Sequence, residues 1–307
     1  MSVFTHLLVP LDGSRMAESA LPAAGELAGR MGAKVTLLHV LEQGAPETVH
    51  GDRHLSRPDE AVTYLAQTAQ WLASRGLAVS FIVHQQEGGD VAEAIASRGA
   101  EIDADLVVLC THGRGGVRGL LFGPVAQQVL RRGRIPVFLV QPSDGREQTF
   151  VCRRLLVPLD GSDTAEAAQP PASAVAGAFT AEMLLMWVVP TVVTISGERA
   201  AVSRLMPTAA AVLLDTEAEQ AARYLDGMVQ QVRAEGKVAS AIVARGEPVR
   251  TLLDAASQRD VDLIVMATHG RSGVSAVWAG SVASRIIAHS TRPVLLIRIP
   301  RRALANE

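Results

Sequence analysis

Two glycine-rich stretches hold the residues of this chain whose types and spacing could do chemistry. One is CTHGRGGVRGLLFGPV at residues 110–125, and the other is ATHGRSGVSAVWAGSV at residues 267–282. Each follows a short apolar run and leads into a helix-like pattern, so loop N–H groups and a helix N-terminus would point at one ligand. This arrangement predicts a cradle for a phosphate group.

The second stretch has the residues that such a cradle needs. Gly270 and Gly273 permit positive φ and a close approach of ligand to backbone. Gly280 lies where the following helix would be capped, and Ser281 then offers both an N–H and a hydroxyl. Arg271 can stay solvated or neutralise phosphate, and we favour phosphate.

The two stretches also allow a purely structural role and a catalytic one. The glycines could build only a tight strand–helix turn, although that does not easily account for the repeated Thr-His-Gly-Arg-x-Gly-Val. His112 and His269 could act as general bases, but a histidine beside a turn more often packs and donates one hydrogen bond. The chain has no G-x-x-x-x-G-K-[ST] sequence and no metal-ligand spacing. We therefore expect no catalytic residue and no metal site.

An aspartate ends the first predicted strand of each half of the chain. Ligands of open α/β sheets bind beyond the carboxyl ends of the strands, where this aspartate and the glycine-rich stretch would meet. The aspartate can accept hydrogen bonds from ribose hydroxyls or cap the following helix, and the two roles are equally supported. The repeated residues are Pro10, Leu11 and Asp12 in the first half and Pro158, Leu159 and Asp160 in the second.

The order of predicted elements also repeats, and it defines two domains. Apolar runs at residues 6–9, 35–40, 79–83, 106–109 and 136–140 alternate with helical patterns, which predicts a parallel sheet with right-handed crossovers. Residues 43–58 have no periodicity and are predicted as a loop. The pattern restarts near residue 154, with its extra length between Val188 and Gly236. We predict domains at residues 1–141 and 152–300, a linker at 142–151 and a tail at 301–307.

Composition narrows the possible partners. The net charge is −2, which gives no indication of a nucleic-acid partner. The content of 48% hydrophobic and only 4% aromatic residues suits parallel strands covered by helices. Cys110 and Cys152 are too few for a disulfide framework, which favours the cytoplasm. The longest apolar region, residues 183–195, is too short to span a membrane.

At these residues the chain resembles the universal stress protein family in its tandem two-domain form, over nearly its whole length. The ATP-binding branch of that family carries Gly-x2-Gly-x9-Gly-Ser/Thr and an aspartate at the end of the first strand. The second half of the chain departs from this motif once and the first half twice. The corresponding residues are Ala267, Gly270, Gly280 and Ser281 in the second half and Cys110, Gly113, Gly123 and Pro124 in the first.

The resemblance implies ATP, alone or with Mg²⁺, as the ligand, with adenine near the ends of the second strands. In the second half the implied binding residues are Pro158, Leu159, Asp160, Val188, Ala267, His269, Gly270, Arg271, Gly273, Gly280, Ser281 and Val282. In the first half the implied and weaker set is Pro10, Leu11, Asp12, Val40, Cys110, His112, Gly113, Arg114, Gly116, Gly123 and Val125.

Pro124 distinguishes the two implied sites. Proline supplies neither the N–H nor the hydroxyl of a serine, although its fixed φ suits the first position of a helix. Losing two donors to a charged phosphate costs on the order of 2–5 kcal/mol. We therefore expect the second half to bind ATP more tightly than the first.

The function that follows from the resemblance is that of an ATP-binding, nucleotide-dependent regulator of a stress response. Two alternatives are a regulatory interaction module with no need of nucleotide and a slow ATP hydrolase; any hydrolysis should be slow, because no base or nucleophile is evident. Family members pair through their last strands, so residues 136–140 and 293–297 should pair within the chain as a pseudo-dimer. We also expect a homo-oligomer, an unidentified regulatory protein partner, and neither nucleic acid nor membrane as a partner.

Overall fold

The computed structural model describes residues 3–42, 48–49, 52–53, 55–86, 90–111, 123–132, 134–142, 149–195, 201, 205–269 and 282–299. It forms two compact units. The first runs through Val151 and includes the last strand of the chain, and the second begins at Cys152. None of the helices within these residues is long and apolar enough to cross a membrane.

The first unit is a parallel sheet covered by helices, as predicted. Its elements are β1 (His6–Pro10), α1 (Arg15–Glu18), α2 (Ala20–Met31), β2 (Lys34–Glu42), β3 (Thr48–Val49), β4 (Asp52–Arg53), α3 (Pro58–Ala73), β5 (Val79–Gln86), α4 (Val91–Glu101), β6 (Leu106–Cys110), α5 (Pro124–Arg132), β7 (Val137–Val140) and the last strand of the chain, β12 (Val294–Ile299). The strand order is β12-β7-β6-β1-β2-β5, in which β7, β6, β1, β2 and β5 are parallel and β12 is antiparallel to β7.

The second unit repeats this design. Its elements are β8 (Arg154–Pro158), α6 (Asp163–Glu166), α7 (Gln169–Phe179), β9 (Glu182–Val189), α8 (Pro207–Ala234), β10 (Ala239–Arg245), α9 (Pro248–Gln258), β11 (Leu263–His269) and α10 (Val282–His289). Its four strands are parallel, in the order β10-β9-β8-β11. The extra length predicted in this half lies partly in α8, which has 28 residues against 16 in α3.

Continuous apolar runs form the central strands because both faces of the sheet are covered. In β1, the side chains of Leu7, Leu8 and Val9 are fully buried, and the same holds for Leu155 and Leu156 of β8. A strand with only one covered face would alternate apolar and polar residues instead. The α/β class predicted from these runs is confirmed.

Two antiparallel strand pairings complete the topology of the first unit. β12 pairs antiparallel with β7, with Leu295 opposite Phe138, which confirms the predicted pairing of the last strands. The prediction of a structureless loop at residues 43–58 was wrong in part, because β3 and β4 form a short antiparallel ladder there. Strands of two residues are too short to produce a recognisable period in the sequence.

Candidate functional site

The first strand of each unit lies beside the strand that precedes a glycine-rich stretch. In the first unit β1 pairs with β6, with Leu7 opposite Leu106, and in the second unit β8 pairs with β11, with Leu155 opposite Leu263. On the other side of the first strand lies the strand that follows it in sequence, which is β2 beside β1 and β9 beside β8. Each unit therefore has a topological switch point, where ligands of such sheets bind.

The aspartate after each first strand forms a turn that positions a serine. In the second unit, Ser162 donates to Asp160 Oδ1 from its backbone nitrogen at 3.0 Å and from its hydroxyl at 2.6 Å. Ser162 Oγ in turn accepts from the backbone nitrogen of Ala165 at 3.2 Å. The helix-capping role considered for the aspartate was therefore wrong in detail, because Ser162 caps α6 and Asp160 orients that serine.

The corresponding turn of the first unit has the same geometry but is less exposed. Ser14 donates to Asp12 Oδ1 from its backbone nitrogen at 2.9 Å and from its hydroxyl at 2.6 Å, and it caps α1. Ser14 is fully buried and Asp12 is half-buried, whereas Asp160 is exposed. The carboxylate of the second unit is therefore the more accessible of the two.

A glycine with positive φ follows each aspartate, and a different side chain covers it in each unit. A Cβ on Gly161 (φ +77°) would lie 2.7 Å from the ring of Trp187, so the glycine is required both by conformation and by space. In the first unit a Cβ on Gly13 (φ +88°) would lie 2.8 Å from Leu55. The buried His39 holds that leucine in place, since its Nε2 lies 3.0 Å from the Leu55 carbonyl oxygen.

Trp187 belongs to an aromatic and acidic group that links the second turn to α8. Its ring makes an edge contact with Tyr224, at 5.4 Å between centroids. The Tyr224 hydroxyl donates to Glu166 Oε1 at 2.7 Å, and burial followed by this carboxylate raises the pKa of the phenol. The sequence analysis missed these residues, although Tyr64-Leu65 and Tyr224-Leu225 repeat between the long helices and were a usable signal.

The strand ends next to the aspartates supply small side chains. Ala267 is a half-buried residue of β11, and Cys110 is the last residue of β6. Burial raises the pKa of the Cys110 thiol to about 12, and its Sγ lies 3.1 Å from the Thr111 carbonyl oxygen. This thiol is therefore protonated at neutral pH and does not offer a reactive thiolate.

An ion pair fixes the helix that follows the second glycine-rich stretch. Arg285 of α10 donates from Nη1 to Glu247 Oε1 at 2.8 Å, and Glu247 Oε2 accepts from the backbone nitrogen of Arg250 at 2.8 Å. The Arg250 N–H, followed by the Arg285 guanidinium, lowers the pKa of Glu247. Sequence reasoning did not find this pair, which joins residues distant in the chain.

The remaining predicted binding residues divide into those that the structure describes and those outside it. Pro10, Leu11, Pro158 and Leu159 line the ends of the first strands, and Leu159 N donates to the Met186 carbonyl oxygen at 2.9 Å. Val40 is buried, Val188 and Val125 are half-buried, Gly123 is buried and Val282 begins α10. His112, Gly113, Arg114, Gly116, Gly270, Arg271, Gly273, Gly280 and Ser281 lie outside the described residues, as does the side chain of His269.

No group of three or more metal-ligating side chains occurs among the residues that the structure describes. Both cysteines are free thiols, with Cys152 buried and Cys110 half-buried. Within this part of the chain, the residues brought together are thus an aspartate, a capping serine, a small residue at the end of the adjacent strand and an apolar residue on the next strand.

Comparison with known proteins identifies the family. The model of the universal stress protein family matches residues 4–141 and 152–298. A universal stress protein of Mycolicibacterium smegmatis is 26% identical over 303 residues, which are 95% of this chain and 96% of that protein. One of Methanocaldococcus jannaschii is 27% identical over 150 residues, 49% of this chain and 84% of that protein. The crystal structure of a universal stress protein from Archaeoglobus fulgidus has a TM-score of 0.70 at 20% identity and covers 95% of this chain and 98% of that one, which shows the shared fold. The chain therefore belongs to the universal stress protein family, with two tandem copies of its domain.

Proposed function

We propose that this chain binds ATP, chiefly in its second unit, and acts as a nucleotide-dependent regulator of a stress response. The observation that supports this most strongly is the adjacency of β8 and β11. It brings Asp160 to the edge of the sheet at which the sequence Ala267-x2-Gly270-x9-Gly280-Ser281 begins. An acceptor for ribose and a phosphate-binding sequence are thus combined at one switch point.

The contacts of Asp160 suit an interaction with ribose. Its Oδ1 is engaged by Ser162, which fixes the orientation of the carboxylate. Among the described residues its Oδ2 has no hydrogen-bond partner, so this exposed oxygen can accept from a ribose hydroxyl. Val188 on the adjacent strand offers an apolar contact for adenine, and Arg271 with the loop N–H groups would bind the phosphates.

The first unit is proposed to bind ATP more weakly. Pro124 is the first residue of α5, where it has no N–H to donate to a phosphate. Asp12 is also less exposed than Asp160. Both differences act in the same direction, because one removes a phosphate donor and the other limits access to the acceptor for ribose.

Nucleotide content of the purified protein tests this proposal. We would denature the wild type, Ser281→Pro and Pro124→Ser, and quantify the released nucleotides by chromatography. We expect ATP in the wild type, less than a tenth as much in Ser281→Pro, and more than the wild-type amount in Pro124→Ser. Absence of nucleotide, followed by no binding on titration with ATP and Mg²⁺, would favour an interaction module that needs no nucleotide.

A regulator is distinguished from an enzyme by its rate of turnover. We expect any hydrolysis of ATP to be slow, because the sequence shows no evident base or nucleophile for attack on the γ-phosphate. Release of phosphate at a metal-dependent rate well above background, lost in Asp160→Asn, would instead establish the hydrolase.

We further propose a homo-oligomer in the cytoplasm, with a regulatory protein as partner. Light scattering tests the oligomeric state, and cell fractionation tests the location.

A further inference from the structure

Trp187 stands where the first unit has a histidine, and it covers the aspartate turn in a different way. The repeat that aligns the two aspartate turns also aligns His39 with Trp187. In the first unit the side chain of Leu55 covers Gly13, and His39 holds Leu55 through its carbonyl oxygen. In the second unit the Trp187 ring itself lies over Gly161. The cover of the second turn is therefore a side chain of the sheet.

The long helix α8 determines where the Trp187 ring lies. The half-buried ring packs against a buried cluster formed by Val189 of β9 with Leu214 and Ala221 of α8. Tyr224 of the same helix makes an edge contact with the ring, at 5.4 Å between the centroids. Aromatic pairs of this geometry have a preferred orientation, so Tyr224 fixes the angle of the indole as well as its position.

The Tyr224 hydroxyl connects α8 to the aspartate turn by a second route. It donates to Glu166 Oε1 at 2.7 Å. The backbone nitrogen of Glu166 donates to the Ser162 carbonyl oxygen at 3.0 Å, and Ser162 in turn donates to Asp160 Oδ1. The contacts therefore close a ring, which leaves the turn at Ser162 and returns to it through the Trp187 side chain.

The phenol also supplies a donor to a group of acidic side chains. Burial, followed by the Glu166 carboxylate and the charges of Asp160 and Asp163, raises the pKa of Tyr224. The phenol is thus protonated at neutral pH and donates to Glu166. Without this donor Glu166 is free to rotate, and repulsion between the neighbouring carboxylates favours other orientations of the turn.

We propose that Tyr224 is a positioning residue of the second nucleotide site, which acts through Glu166 and Trp187 on the orientation of Asp160. The inference rests on the proposed binding of ATP. Tyr224 does not need to touch the nucleotide, because a turn that is already fixed presents the exposed carboxylate oxygen in one orientation and loses less freedom on binding. The part of ATP that Tyr224 influences is therefore the ribose and not the phosphates.

Calorimetric titration of the full chain with ATP and with dideoxy-ATP, which lacks both ribose hydroxyls, tests this inference. We expect the wild type to bind ATP about tenfold more tightly than dideoxy-ATP, because the hydroxyls donate to the charged Asp160. Tyr224→Phe keeps the aromatic contact with Trp187 but removes the phenolic hydroxyl. It should weaken ATP about three- to tenfold and leave dideoxy-ATP within about twofold, so that most of the preference is lost.

Matched variants separate positioning from general effects on the fold. Tyr64→Phe makes the same change at the equivalent residue of the first unit and should preserve the preference for ATP. Glu166→Ala should reproduce the effect of Tyr224→Phe, and the double variant should lose no more than either, because both changes remove the same hydrogen bond. Glu166→Gln keeps an acceptor for the phenol and should retain most of the preference.

The possible outcomes distinguish a failure of this inference from a failure of the proposed function. A wild type that prefers ATP, together with a Tyr224→Phe variant that has the same preference, would overturn the inference alone. Equal weakening of ATP and dideoxy-ATP in Tyr224→Phe would reveal a general effect on the fold and would also overturn it. A wild type that binds no ATP, or binds both nucleotides equally, would contradict the proposed ribose contact and this inference together.

Discussion

At the residue scale, the aspartate after each first strand accounts for the repeated Asp-Gly-Ser sequence. One carboxylate oxygen of Asp160 binds both the N–H and the hydroxyl of Ser162, and that serine caps α6. The glycine between them must adopt positive φ to close this short turn. The turn therefore places an acidic side chain at the switch point while it starts the next helix.

Replacing Gly161 by alanine should destabilise the second unit. The new Cβ would meet the Trp187 ring at 2.7 Å and would also force an L-residue to φ +77°. We expect a loss of about 1–3 kcal/mol in the free energy of unfolding, measured by urea denaturation. Gly236→Ala is the control, because it has the same φ but no atom within 4 Å of the new Cβ. An equal loss in both variants would mean that conformation alone, and not contact with Trp187, requires Gly161.

At the element scale, polar side chains connect three strands at their amino ends in the first unit, of which His6 and Thr36 are buried and Ser80 is exposed. His6 of β1 has Nε2 at 2.7 Å from Thr36 Oγ1 of β2, and Thr36 Oγ1 lies 2.9 Å from Ser80 Oγ of β5. His6 Nδ1 lies 2.9 Å from the Ile102 carbonyl oxygen, which can only accept. Nδ1 is therefore protonated, and the neutral ring accepts the Thr36 hydroxyl proton at Nε2.

This arrangement predicts a loss of stability in mild acid. Burial, followed by the charge of Lys34, lowers the pKa of His6 below its ordinary value of 6.5, against the opposing effects of the Ile102 carbonyl, Asp105 and Asp103. The unfolded chain thus takes up the proton first as the pH falls, so stability is complete above about pH 6.5 and decreases toward the folded pKa. We expect urea denaturation to show this decrease between pH 7.5 and 5.5, and a shallower one in His6→Gln. The same pH dependence in both proteins would assign the effect to other groups.

The ion pair between Glu247, the N-cap residue of α9, and Arg285 of α10 should influence the affinity for ATP. Arg285 anchors α10 to Glu247, and α10 begins directly after the second glycine-rich stretch. Arg285→Ala should weaken ATP binding about three- to tenfold without removing any predicted phosphate ligand, because the start of α10 is less firmly held. Arg250→Ala is a suitable control, since only the backbone N–H of Arg250 contacts Glu247. Unchanged affinity in Arg285→Ala would contradict a positioning role.

Elements were easier to predict from the sequence than the contacts around the site. Buried parallel strands such as β1 and β8 are continuous apolar runs, and the same run occurs in both sequence repeats, so both strands were predicted. The hydrogen bond between Tyr224 and Glu166 joins α8 to α6 across 58 residues of sequence. Hydrophobic periodicity within one element gives no information about such a long-range contact. The difference between the two implied phosphate sites could be predicted, because it depends only on the residue type at position 124. The contact between Gly161 and the Trp187 ring could not be predicted, because it depends on where the fold places Trp187.

At the scale of the whole molecule, the last strand follows the second unit in sequence but packs in the first. β12 pairs antiparallel with β7 through Val294, Leu295 and Leu296, which are fully buried. β7 and β12 occupy equivalent places in the sequence repeat. An antiparallel pair of equivalent strands is compatible with two-fold symmetry, so two identical strands can form the same ladder.

This pairing predicts self-association of the second half when it is produced alone. A fragment of residues 152–307 keeps β12 but lacks β7, which leaves the N–H and C=O groups of that strand edge without their partner. Pairing of β12 with β12 of a second copy restores the ladder, so we expect a dimer by size-exclusion chromatography with light scattering. Leu295→Pro removes a backbone donor from the middle of β12 and should shift the fragment toward a monomer, with circular dichroism as the check on folding. A folded wild-type fragment that stays monomeric at 100-fold higher concentration would show that the edge of β12 does not drive association.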